Sequence, residues 1–188
     1  MLVMIMVAVL LSIGAPAFQG SLQRNRLQSS MNSVLSALSF ARSEAVIRSE
    51  PVSMCPTVDT VSCSGSSYEE GWLVFVDNGA GSGGVASDGN LNGNEELLQI
   101  GNPAPAAITI RSINFSTSPN IVFEDSGRIL QDADGTVTVC DDRGEASARA
   151  VVVQVSGQSR LAVDTDSNGI VEDNTSTLGS ASDISCPS

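Results

Sequence analysis

Apolar residues run almost unbroken from Met1 to Phe18, and no charged residue precedes Arg24. From Leu22 the pattern becomes periodic. Leu27, Met31, Val34, Leu35, Leu38, Ala41 and Ala45 follow the i, i+3, i+4, i+7 spacing of a helix with one buried face. Arg24, Asn25, Gln28, Asn32, Ser36 and Ser39 fall largely between them. No Gly/Ser-rich linker separates the two stretches, so one shared helix is expected rather than an anchor joined to a separate core helix. Ser49-Glu50-Pro51 ends it, because the residue before a proline is pushed towards extended geometry. A helix of about 50 residues at roughly 1.5 Å per residue is about 75 Å long, more than a small soluble domain can bury.

The apolar block is near the lower limit for crossing a hydrocarbon core, which takes roughly 17 to 25 apolar residues. A cleaved signal peptide fits it poorly, since no basic residue leads it and Pro16 interrupts Ala15-Pro16-Ala17. Pro16 has no amide hydrogen and is expected to bend the helix near the membrane surface. The expected organisation is a membrane or filament-core half over residues 1–20, an amphipathic half over 21–50 and a β-rich body over 51–188. Met1, Leu2, Val3, Ile5, Val7, Leu10, Leu11, Ile13, Pro16 and Phe18 are the residues assigned to the apolar layer. Arg24 and Arg26 either mark where the helix leaves that layer or occupy an ordinary solvated face.

Beyond Pro51 the period changes. Residues 51–55, 71–76, 96–100, 107–113, 120–123, 136–140, 149–155 and 159–163 are short runs rich in β-branched or aromatic residues, bounded by Gly, Asp, Asn or Pro. Ser156-Gly157-Gln158 and Asp125-Ser126-Gly127 read as hairpin turns, and Asp132 to Gly135 as a further turn. The expected fold is α+β, one long N-terminal helix packed on antiparallel sheet.

Composition narrows the function. The 188 residues carry a net charge of −12, no histidine, and nine cations that are all arginine. The acidity disfavours nucleic acid and anionic surfaces as broad partners. The lack of histidine removes the usual neutral-pH acid/base and the commonest metal ligand, and with lysine also absent no usual nucleophile and base pair can be assembled. Adjacent carboxylates such as Asp141-Asp142 and Glu69-Glu70 read as solvated surface. No enzyme is expected.

Cys55, Cys63, Cys140 and Cys186 allow three pairings. Proximity favours Cys55 with Cys63, leaving Cys140 and Cys186 to pin the C-terminus to a strand. A zinc site is the competing reading, against which stand the missing CxxC pair and the missing histidine. Disulfides imply the periplasm or the exterior. Asp164, Asp166 and Asn168 stand at the first, third and fifth positions of a calcium-type loop, with Gly169 sixth and Glu172 ninth, but Thr175 replaces the glutamate at the twelfth. Asp88-Gly-Asn-Leu-Asn-Gly93 repeats the spacing more weakly, with Gln99 at its twelfth position. Calcium is the only cofactor suggested, and the competing reading is a pair of exposed loops rich in turn formers.

Several segments together resemble a known family. They are the apolar block ending in Ala-Pro-Ala-Phe18, the run Leu35-Ser-Ala-Leu-x-x-Ala-Arg-Ser-Glu-Ala45, the strand Gly71-Trp-Leu-Val-Phe-Val-Asp77, the Phe123-x-x-x-Gly127-Arg128 turn and the Val139-Cys140 to Val153 region. The chain is similar over nearly its whole length to the GspH/FimT family, the minor pilins of type IV pili and the H-type minor pseudopilins of type II secretion. The resemblance implies a subunit held by its helix in the inner membrane, with the body in the periplasm, that later moves into a filament or tip complex with other pilins or pseudopilins. It also implies a basic leader, a glycine cleavage site for prepilin peptidase and a Phe-Thr-Leu-Ile-Glu run. None of these precedes Met1, so the chain is expected to start about half a dozen residues inside the mature protein. The two expected bridges and the loop from Asp77 to Asn94 incline the reading towards the pilus, with type II secretion the alternative. A DNA-uptake pilin is the minor reading, because Arg143, Arg149 and Arg160 lie among acidic residues and nothing from Leu161 to Ser188 is basic.

Overall fold

A computed structural model describes the backbone of residues 2–173 and 182–187, with side chains from residue 19 onward in the same ranges. The side chains assigned above to the apolar layer, Met1 to Phe18, and Thr175 of the calcium-type loop therefore lie outside the described residues.

One helix, α1 (Leu2–Arg48), runs unbroken through Pro16 and is about 70 Å long at 1.5 Å per residue. Its buried face is the one the periodicity names: Leu27, Met31, Val34, Leu38, Ala41 and Ala45 are all buried, and Leu35 packs at the margin. The periodic pattern also conceals Ser30 and Ala37, which are small enough to let the sheets approach. At the C-terminus Ser49 takes a left-handed conformation, φ 56°, and the Glu50 amide donates to the Ala45 carbonyl at 3.3 Å. This is a Schellman-type stop, made here without glycine and followed by Pro51. Among the described residues no helix is long and apolar enough to cross a membrane.

Eight strands follow: β1 (Val52–Pro56), β2 (Trp72–Val76), β3 (Leu97–Gly101), β4 (Thr109–Ile113), β5 (Ile121–Phe123), β6 (Gly135–Cys140), β7 (Arg149–Val153) and β8 (Ser159–Leu161). They form two four-stranded antiparallel sheets, ordered β3-β2-β1-β5 and β4-β6-β7-β8. Each expected strand is present. One turn is shorter than expected, because Gly135 joins the ladder opposite Val153 instead of closing the Asp132 turn.

Alternation decides what each sheet shows to the helix. Val52 and Met54, Trp72 and Val74, Ile121 and Phe123 point inward from the first sheet, and Ile110, Val137, Val139, Val151 and Val153 from the second. Both sheets thus share one core with the C-terminal half of α1. The central strands are covered on the opposite face as well, which is why β2 and β6 have no exposed residue, whereas Leu97 and Ile100 on the edge strand β3 stay exposed. Leu73 and Phe75 are covered by the loops carrying Cys63 and Leu91. Cys140 and Ala150 are covered by Ile184 and Cys186 of the C-terminal segment. The long connections therefore act as lids over sheet faces that would otherwise expose apolar surface.

Candidate functional site

The Ala41-Arg42-Ser43-Glu44-Ala45 element docks the helix onto both sheets. Ala41 and Ala45 are fully buried, so the α1 backbone lies close on the sheet. Arg42 reaches two turns at once, donating through Nε to the Gly127 carbonyl at 3.1 Å and through Nη2 to the Ser156 carbonyl at 3.2 Å. Those turns touch each other: a Cβ on Gly157 would come within 1.8 Å of the Gly127 oxygen. Glu44 accepts from Arg48 Nε at 2.8 Å, and Arg48 in turn reaches Glu96 beside β3 at 2.8 Å. One helical turn thus ties the β7–β8 hairpin, the turn after β5 and the edge of the first sheet together.

The Gly71-Trp-Leu-Val-Phe-Val-Asp77 strand has an equally physical reading. Trp72 lies flat on Gly101, where a Cβ would fall 1.8 Å from the indole Cε2. Tyr68, fully buried just before the strand, shares its one hydroxyl proton between the Met54 and Pro119 carbonyls, at 3.0 and 2.9 Å. Sequence reasoning did not single out Asp77, which is entirely buried. Its Oδ2 accepts from Ser53 Oγ at 2.6 Å and from the Gly89 amide at 2.8 Å, whereas Oδ1 has no partner among the described residues. Burial raises this carboxyl above its ordinary value, against the pull of those two donors, and the Asp88 charge adds to the rise. The signal in the sequence was the position, a charged residue placed directly after five apolar ones.

In the calcium-type loop, Asp164, Asp166 and Glu172 bring one carboxylate oxygen each to within 4.8 Å of one another. The expected fifth-position ligand turns away: Asn168 Oδ1 accepts from the Ile170 amide at 2.8 Å, and its Nδ2 donates to Asp166 and Asp183. The carboxylates are engaged by the loop itself. Asp164 accepts from the Ser167 and Gly169 amides, Asp166 from the Asn168 amide, and Glu172 from Thr165 and Asp166. Hydrogen bonds led by the Thr165 hydroxyl hold the Glu172 carboxyl below its ordinary value. The weaker loop behaves alike, with Asp88 accepting from the Asn90 amide and Asn92 Nδ2. Both are arranged as Asx-type turns.

The cysteines pair as proximity suggested, Cys55 with Cys63 and Cys140 with Cys186. The carboxylate pairs require a correction, because each splits. Asp141 is half-buried, its carboxylate shielded in a two-pronged ion pair with Arg143, whereas Asp142 is exposed. Glu69 is half-buried, accepting from the Ile110 amide at 2.9 Å and from the Arg111 guanidinium, whereas Glu70 is exposed. Burial pushes the Glu69 carboxyl up, but the Arg111 hydrogen bond and the Ile110 amide outweigh it and leave it below its ordinary value. Arg24 and Arg26 are both exposed. The three arginines considered for DNA do not form one surface: Arg143 and Arg149 line a cleft with Arg24, and Arg160 lies across the body beside Arg42.

A long helix laid by its C-terminal half across two antiparallel sheets defines the pilin-like class of fold. Residues 30–159 match the family of the Type II transport protein GspH, and the chain belongs to that family. Its members are structural subunits, pilins and pseudopilins that assemble with one another in filaments of the cell envelope. Among solved structures, the type IV minor pilin FimU of Pseudomonas aeruginosa is similar at 21% identity, covering 75% of this chain and 91% of that one with a TM-score of 0.56. A second crystal form of FimU gives 18%, 72%, 92% and 0.52. The minor pseudopilin EpsH from the Type 2 Secretion System of Vibrio cholerae aligns at 13% identity over 75% of this chain and 99% of that one, with a TM-score of 0.48. No curated protein matches the chain.

Proposed function

We propose that the chain is a minor pilin of a type IV pilus that acts as a structural subunit in starting and building the filament. The observation that carries this reading is the projecting helix. Residues 19–22 are exposed, and Gln23 is the first described side chain of α1 to face the body, so about 20 residues, or about 30 Å of helix, precede the body. Residues 1–20 supply the apolar half, held in the inner membrane before assembly and among neighbouring helices afterwards. Residues 21–50 join that half to the periplasmic body, residues 51–188, which presents the docking surface. Close packing and polar matching drive the exchange, because lipid is as apolar as a helix bundle. The lack of histidine and lysine supports a purely structural role.

The alternative is an H-type pseudopilin of type II secretion, favoured by the description of the matching family. Both readings are tested by complementing strains that lack the pilus or the secretion homologue, and by probing sheared filaments for the chain. Recovery in sheared pili, lost on Leu10→Arg with the body still folded, supports the minor pilin. Restoration of protein secretion alone would move the chain to the alternative.

A further inference from the structure

The end of the body from which α1 leaves carries a recess of about 280 Å³. Arg24, Leu27 and Gln28 form its helix wall, and Arg143 and Ser147 of the β6–β7 connection and Arg149 at the start of β7 face them. Three of the nine arginines of a chain with 21 acidic residues thus share one small cleft. Arg143 is neutralised by Asp141 at 2.6 Å. The other two are not: among the described residues Arg24 has no hydrogen bond or ion pair, and Arg149 bonds only the neighbouring Ala148 carbonyl, at 3.1 Å. The nearby acids Asp142 and Glu145 line a different cleft, beside the Cys140–Cys186 bridge. Two uncompensated guanidinium groups facing one recess repel each other and create a positive potential that a phosphate oxygen satisfies in planar, two-pronged fashion.

The position of the recess names the anion. Leu27 is the first buried residue of α1 among those described, and Arg24 lies one turn nearer the apolar block. From Phe18 to Arg24 the rise is about 9 Å, and helix side chains lean back towards the N-terminus. A polar headgroup layer is about 5–7 Å deep on each side of the hydrocarbon core, so this guanidinium reaches into it. We propose that the cleft of Arg24, Arg143 and Arg149 binds the phosphate of an anionic phospholipid in the membrane that holds the helix, seating the body against the bilayer until the subunit is extracted. The inference rests on the reading of residues 1–18 as a membrane-held segment.

The test is native mass spectrometry of the full chain ejected from nanodiscs of equal parts phosphatidylcholine and phosphatidylglycerol. Retained phosphatidylglycerol should exceed retained phosphatidylcholine by about tenfold, as expected for arginines acting near a bilayer surface. The preference should vanish in the double variant Arg24→Gln, Arg149→Gln and persist in Arg128→Gln, which alters an exposed arginine at the distant turn after β5. Near-UV circular dichroism confirms that each variant is folded. Equal retention of both lipids, or a preference unchanged in the double variant, overturns the site. Binding of inorganic phosphate as tight as that of the lipid, or arginine-dependent binding of a short DNA duplex, overturns the lipid assignment. Failure to enter nanodiscs at all overturns the membrane reading beneath it, whereas entry without preference overturns the site alone.

Discussion

Arg42→Ala separates the docking of the helix from the stability of the sheets it crosses. The guanidinium bridges two carbonyls, Gly127 at 3.1 Å and Ser156 at 3.2 Å, the first partly buried and the second exposed. A hydrogen bond from a charged donor contributes about 1.5–3 kcal/mol when shielded and well under 1 kcal/mol when exposed, so the two together contribute about 2–3 kcal/mol. The aliphatic stem packs beside Gly127, and its loss adds about 0.5–1 kcal/mol. The expected cost is about 3 kcal/mol, which for a chain of this size lowers the melting temperature by about 6–12 °C. Arg42→Lys keeps the charge and the stem but cannot fork across both carbonyls, so it should lose about half as much. Unfolding of the full chain in mild detergent, followed by near-UV circular dichroism, measures both variants. A melting temperature within about 2 °C of wild type for Arg42→Ala would refute the clamp, since changes that small are typical of substitutions at ordinary surface sites. Equal losses for lysine and alanine would instead show that the fork geometry carries the whole contribution and that the stem and the charge add nothing.

Asp77→Asn keeps an acceptor for Ser53 and Gly89 without a charge. The folded state holds the Asp77 proton above the ordinary value of 3.8, so wild-type stability falls as pH rises from there through the raised value, and the variant should gain on wild type over that interval. Urea unfolding at acid and neutral pH measures the difference, and a gain in the opposite direction would refute the buried-carboxyl assignment. Gly101→Ala drives a Cβ into the indole and should cost about 3 kcal/mol, with a red shift in the emission of Trp72, the chain's single tryptophan. Loop closure predicts that opening the Cys140–Cys186 bridge, with a separation of 46 residues, costs about 4 kcal/mol, against about 2.5 kcal/mol for Cys55–Cys63 at a separation of 8, measured by melting the two double serine variants. Calcium should leave the melting temperature unchanged, because the loop's own amides already engage the Asp164 and Asp166 oxygens; a rise that saturates with calcium would assign the site instead.

Much of this architecture is local and therefore legible along the chain. A helix shows its buried face every three or four residues and a strand every two, so Leu27 to Ala45 and all eight strands follow from neighbour spacing alone. The stop at Ser49 is also local, set by the proline two residues on. The even cysteine count and short spacing pointed to the bridges that form. The division of the strands into two sheets was not legible, because β5 joins β1 across most of the body and nothing near Ile121 specifies that partner. Nor was the separation of Glu69 from Glu70, since which carboxylate of that pair is shielded depends on where Arg111, 42 residues away, arrives; Asp141 is by contrast engaged locally, by Arg143 two residues on. Of the residues that the calcium-type spacing named, Asp164, Asp166 and Glu172 bring oxygens together, whereas Asn168 does not join them because the Ile170 amide captures its oxygen.

The sequence by itself determined the helix, its amphipathic half, the strands and the kind of family to which the chain belongs, because each is written in short-range periodicity and in motifs that occupy one element. Only the tertiary structure decided what those motifs do. Arg42 became a clamp when two turns distant in sequence met beneath it, Asp77 became a buried acid when the loop bearing Gly89 closed over it, and Arg24 came to face Arg143 and Arg149 when the helix settled on the sheets. Long-range contact places charges and donors against one another, and no pattern confined to neighbouring residues carries that information.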